Sequence, residues 1–213
     1  MSPRDLLVDW FDIDDVEAGA HLPPSYNVAP TDEVYKVADG GGRRVLSVTP
    51  WGLLAGEGAA PLINARAETL AERPAFREAF EQRRCLIPAD GFFEWETTAA
   101  GRKQPYVFSP VDGRPVGFAG IYGRRGTCAI VTAAARPPVE RLHDRMPVVV
   151  PRDRWDVWLD PDADTAELQA VLGPPPEAPF TTRAVSTRVN DVRNNDAALL
   201  DHVPPPPQAL QLF

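Results

Sequence analysis

Hydrophobic positions along this chain come in short blocks, and their spacing shifts from helical to alternating after the first segment. Leu6, Leu7, Trp10 and Phe11 recur at helical spacing behind Ser2-Pro3, which predicts a helix over residues 4–11. A long loop is expected from there to Pro30. Residues 34–37 and 44–49 read as strands on either side of the turn-prone Asp39-Gly40-Gly41-Gly42. A second helix is predicted over 74–84, with Phe76, Ala79 and Phe80 on one face. Short strand-like runs follow at 85–87, 91–96, 105–109, 116–122 and 127–133, separated by Gly or Pro. Residues 139–145 suit a helical turn, 148–150 a strand, 152–159 and 165–172 two helices, and 180–186 and 189–193 extended chain. Many strands with a few short helices predict an α+β fold, a curled, mostly antiparallel, barrel-like sheet with the helices around its outside. The expected organisation is one domain over residues 1–203 and a proline-rich tail at 204–213, extended through Pro204 to Pro207.

Composition narrows the functional classes. A chain of 213 residues, 44% hydrophobic, can bury one substantial core. No stretch approaches the roughly 18 uncharged apolar residues of a membrane helix, and residues 1–10 lack a basic-then-apolar leader, so a cytoplasmic protein is expected. Cys85 and Cys128 both stand in apolar runs and read as small core residues. Two cysteines supply neither a disulfide framework nor a four-thiolate zinc site, and no metal or cofactor is expected.

The net charge of −8 argues at face value against nucleic acid, but its distribution changes that inference. Residues 1–20 and 151–178 together carry −10, and the remainder sums to +2. That remainder is rich in basic doublets, Arg43-Arg44, Arg83-Arg84, Arg102-Lys103 and Arg124-Arg125. A locally basic groove with an acidic periphery, or an evenly solvated mixed-charge surface, both fit these counts.

Seven segments carry more specific information in combination than any does alone. In chain order they are Tyr26-Asn27-Val28-Ala29-Pro30, Trp51-Gly52-Leu53, Asn64 to Thr69, Arg84 to Trp95, Phe118 to Tyr122, His143-Asp144-Arg145-Met146-Pro147, and Val185 to Asn194. This series resembles the SOS response-associated peptidase family of abasic-site processing proteins, from about Tyr26 to Leu200. The resemblance implies that family's fold, a single-stranded DNA partner bearing abasic sites, and a nucleoid-associated monomer. In the family an N-terminal cysteine, exposed by removal of the initiator methionine, captures the abasic aldehyde. Its amine forms an imine and its sulfur closes a thiazolidine, which gives a covalent DNA–protein cross-link; the peptidase label reflects the self-removal of the leading residue.

The resemblance implies catalytic roles for Asn64, Glu94 and His143, and DNA contacts for Trp51, Arg66, Trp95 and Arg145. From the residues alone, His143 fits either a proton carrier or a satisfied core or surface histidine. Strand alternation puts Glu94 on the face of Phe92 and opposite Phe93 and Trp95, where it is either a perturbed acid or an exposed strand carboxylate. Asn64 alone suits a turn, and each tryptophan alone suits a core; pairing them with Arg66 and Arg145 favours stacking on splayed bases and phosphate contact.

Two departures from the family pattern stand out. Family members begin Met-Cys-Gly-Arg and a strand ahead of the first helix, whereas Ser2-Pro3-Arg4-Asp5 already opens that helix, so this sequence contains no counterpart of the nucleophile. Either its start lies downstream of the natural one, or it is a cysteine-free member. Ser25 stands where the family has an arginine. The tail, Gln208 to Phe213, resembles peptides that dock into the bacterial sliding clamp, with Gln208, Leu210, Leu212 and Phe213 as contacts. Alternative readings are a non-catalytic single-stranded-DNA-binding or clamp-interacting module, and a peptidase or hydrolase acting on proteins. The last lacks a Gly-x-Ser-x-Gly elbow, a His-Glu-x-x-His helix or a convincing Cys/His pair.

Overall fold

The computed structural model describes residues 2–56, 58–173 and 180–204. The chain runs α1 (Arg4–Trp10), β1 (Asp15–Val16), β2 (Glu33–Asp39), β3 (Arg44–Pro50), β4 (Asn64–Arg66), α2 (Arg77–Gln82), β5 (Arg84–Ala89) and β6 (Phe92–Thr97). It continues through β7 (Lys103–Pro110), β8 (Val116–Tyr122), β9 (Cys128–Ala134), β10 (Arg145–Pro147), β11 (Val149–Val150), α3 (Trp155–Leu159), α4 (Thr165–Val171) and β12 (Phe180–Ala184). Nine strands make one sheet in the order β1-β3-β2-β5-β8-β9-β10, with β11 added to β8 and β4 to β9. Among the described strands only β1–β3 and β4–β9 pair in parallel. Strands β12, β7 and β6 form a second, antiparallel sheet. The fold is α+β and mostly antiparallel as expected; the large sheet is branched and open, and does not close into a barrel.

Period-two alternation distributes the large sheet between two cores. Tyr35 and Val37 of β2, with Ala129 and Val131 of β9, pack under the helices against Phe11, Phe80, Trp155, Trp158 and Leu168. Val34 and Ala38, with Cys128 and Ile130, face the other way and meet Phe92, Phe108 and Phe180 of the small sheet. Helices therefore cover one face of the large sheet and the small sheet covers the other. A third cluster, Val107, Val185, Val189 and Leu199 with Tyr26, Phe93 and Trp95, coats the outer face of the small sheet.

Arg84 holds the helical layer to the sheet. Its guanidinium is buried and spends its donors on backbone carbonyls at the ends of two helices: Phe80 at 2.7 Å and Glu81 at 2.6 Å from α2, Trp158 at 2.9 Å from α3, and Asp160 just beyond it. These are orphan acceptors that a helix C-terminus must otherwise leave to water. Trp158, fully buried, adds an indole hydrogen bond of 2.8 Å to the Cys85 carbonyl.

Several elements differ from the sequence expectations. Residues 189–193 are not extended: the chain makes a 3-10 turn at Thr187–Asn190, capped by the Ser186 side chain. The amide of buried Asn27 binds the carbonyls of Val189, Asp191 and Asn194, which holds that turn in place. The helical turn expected over 139–145 is only Val139–Arg141, because Arg145 already pairs with Ala134. The helix expected over 74–84 shortens to α2, since Arg84 is drawn into β5 opposite Ile121.

Candidate functional site

Glu94 is placed by the alternation of β6. Phe92 points inward, its ring stacked 5.1 Å from Phe108 and edge-on to Phe180, whereas Phe93 and Trp95 point outward into the third cluster. Glu94 shares the side of Phe92 and so faces the space between the two sheets, its side chain 20% exposed. Gly91 sets the entry into the strand at φ 151°, and a Cβ there would lie 2.2 Å from the Phe108 carbonyl oxygen. Burial pushes the Glu94 carboxyl above its ordinary range; the charge of Asp144 raises it further, while His143 pulls it down.

His143 belongs to the turn that leads into β10, at the edge of the other sheet. Its Nδ1 lies 2.9 Å from the Arg145 backbone nitrogen, 3.0 Å from the Arg145 carbonyl, 3.4 Å from Asp144 Oδ1 and 4.0 Å from Glu94 Oε1. In the neutral ring Nδ1 accepts the Arg145 N–H and the proton resides on Nε2. In the protonated ring the same atom donates toward the Arg145 carbonyl and faces both carboxylates. The side chain is 45% exposed, so the pair is open to solvent.

Strand β4 lies parallel along β9. Its central residue, Ala65, is buried in the helix-side core, so Asn64 and Arg66 project from the opposite face, where both are exposed. Neither side chain makes a hydrogen bond or ion pair among the described residues. Trp51 is half-buried and donates from its indole to the Ile63 carbonyl at 2.8 Å, which anchors the chain just ahead of Asn64. Trp95 lies on the outer face of the small sheet, its indole 2.7 Å from Asn190 Oδ1. Arg145 is engaged by Glu68 through both terminal nitrogens, at 2.6 and 2.8 Å.

The structure thus brings Glu94 and His143 together, with the Arg145 backbone against the His143 ring, and leaves Asn64 and Arg66 exposed on β4, across β9 from β10. Trp51 and Trp95 belong to different apolar clusters. Two neighbours not singled out from the sequence are Asp144, which faces His143, and Glu68, which holds Arg145. Most of the basic doublets are spent internally: Arg44 on Asp12 and Asp156, Arg83 and Arg124 on Glu78, and Arg84 on helix ends. Cys85 and Cys128 are fully buried, and burial pushes the Cys128 thiol up to about 12. Among the described residues no helix is long and apolar enough to cross a membrane. Gln208, Leu210, Leu212 and Phe213 lie outside the described residues.

The family model described as SOS response associated peptidase (SRAP) matches residues 2–192. The chain belongs to this family. The SRAP relative in Bacillus subtilis (strain 168) called abasic site processing protein YoaM is 35% identical, with 94% of each chain covered. Abasic site processing protein YedK of Escherichia coli (strain K12) is 34% identical, with 84% of each covered. A solved structure from Bacteroides thetaiotaomicron shares the fold of this SRAP chain, with a TM-score of 0.70 at 24% identity over 81% of this chain and 82% of that one. A phage-related protein of Bordetella bronchiseptica gives a TM-score of 0.66 at 28% identity, over 78% and 85%.

Proposed function

We propose that this SRAP protein recognises abasic sites in single-stranded DNA and uses Glu94 and His143 to move protons on the opened sugar. The observation that carries the reading is the 4.0 Å approach of a half-buried carboxyl to an open imidazole in the space between two sheets. Opening an abasic sugar to its aldehyde transfers a proton from one oxygen to another, and imine formation expels water with the help of an acid. A carboxyl whose ordinary value is raised by burial keeps its proton to higher pH than an exposed one, which suits an acid. The imidazole can then take up or return that proton.

Asn64 is assigned to hydrogen bonding with the sugar, Arg66 and Arg145 to backbone phosphates, and Trp51 and Trp95 to stacking on flanking bases. Such contacts read no base edge, which suits a protein that must accept any sequence around a lesion. The names of the bacterial relatives support abasic sites as the target. Covalent capping requires a terminal aminothiol, and the buried thiols of Cys85 and Cys128 are poor substitutes.

Fluorescence anisotropy with matched single strands, one carrying an abasic site and one intact, tests this reading. Tighter binding of the abasic strand, diminished by His143→Ala, is the expected result. Equal affinities for the two strands would overturn it.

A further inference from the structure

We propose that Glu68 is an internal phosphate mimic that keeps Arg145 masked until a DNA backbone displaces it; this rests on the DNA reading above and names how the same site is regulated. A carboxylate and a phosphate present similar pairs of oxygens to a guanidinium fork, so each can replace the other. Glu68 occupies that fork end-on, Oε1 at 2.6 Å from Nη1 and Oε2 at 2.8 Å from Nη2. The carboxylate is the outer partner, 51% exposed, and the guanidinium is the inner one, 20% exposed. A competing anion arriving from solvent therefore meets Glu68 first.

Two features let Glu68 leave without collapse of the site. Nη2 of Arg145 also donates to the Thr132 carbonyl, so the guanidinium stays anchored to β9 when the carboxylate swings away. Among the described residues its buried Nε has no hydrogen-bond partner, so the clamp leaves one donor unspent. Thr132 also pairs in register with Arg66 on β4. One strand position is thus flanked by two arginines, Arg66 with no ion pair among the described residues and Arg145 neutralised by Glu68.

The arrangement bears on discrimination between damaged and intact strands. Intact single-stranded DNA gains only phosphate and stacking contacts, and with Arg145 masked it gains one phosphate contact fewer. An abasic strand gains further contacts at Glu94 and His143, which offset the displacement of Glu68. The masked arginine lowers affinity for undamaged DNA while leaving a charge-assisted contact available to the lesion. The hydrogen bond from Arg145 holds the Glu68 carboxyl below its ordinary range, so the mask remains charged across the neutral range.

The test is a salt titration of binding to an intact oligothymidylate, comparing the native chain with Glu68→Gln. Unmasking one arginine steepens the slope of log affinity against log salt by roughly 0.7 for a single strand. The variant's advantage should then widen by about threefold for each fivefold fall in salt. The double variant Glu68→Gln with Arg145→Gln should lose that gain, and thermal unfolding of each variant checks the fold. Glu68→Ser serves as a second unmasking variant should Glu68→Gln unfold. An unchanged slope, or weaker binding, in a folded Glu68 variant would overturn the mask. If the native chain shows no preference for abasic DNA, the functional reading fails separately, because this titration uses only undamaged strands.

Discussion

The carboxylate of Glu94 and Nδ1 of His143 approach to 4.0 Å although they belong to different sheets, Glu94 to the small sheet and His143 to the turn entering β10 of the large one. Docking of one sheet on the other creates the pair, so its geometry reports on that docking.

Burial of Glu94 has a pH signature. The folded state favours the protonated acid, so the group's contribution to stability is complete below its ordinary value of 4.5 and is lost as pH rises through the higher folded value. Glu94→Gln should therefore melt above the native protein at pH 8, and the difference should close by pH 4. Melting curves across that range decide the matter, and a difference independent of pH would refute this account.

Arg84 should resist replacement. Its guanidinium satisfies carbonyls at the ends of α2 and α3, and Arg84→Met leaves those acceptors buried and unpaired, at a cost of about 3 kcal/mol. Arg84→Lys should recover little, because one ammonium cannot span both helix ends. Denaturant midpoints of the two variants measure the difference.

Gly91 aims β6. An added Cβ would collide with the Phe108 backbone, so Gly91→Ala must shift the strand and should cost about 2–4 kcal/mol. Because Glu94 lies three residues further on, binding of abasic DNA should fall in any variant that remains folded. Normal stability with normal binding would show that the close approach can relax.

Cys85 and Cys128 should form no denaturant-resistant adduct with abasic single-stranded DNA, since both thiols are fully buried. Denaturing electrophoresis after incubation reads the outcome directly. A strong shifted band would identify another nucleophile in the chain.

Much of this arrangement could be read from the chain because period-two patterning is local. The run Phe92-Phe93-Glu94-Trp95 assigned each side chain to a face, and the faces are as expected. The buried cysteines followed equally from their apolar neighbours. Long-range partnerships were not legible: Glu68 meets Arg145 from 77 positions away, and nothing in Ala67-Glu68-Thr69 announces it. Arg84 looked like half of a surface doublet, because no local pattern reveals that two helix ends converge on it. The segment 189–193 reads as extended, but the Ser186 hydroxyl accepting from the Arg188 N–H and the Asn27 amide donating to the Val189 carbonyl hold a turn there.

Strand β6 carries its two surfaces on consecutive residues, with the acid turned inward and the indole of Trp95 outward. Inserting or deleting one residue within it would exchange those surfaces wholesale, expelling the acid into solvent and driving the indole between the sheets. Change along this stretch is therefore confined to substitution at constant length, while loops elsewhere on the molecule can grow or shrink.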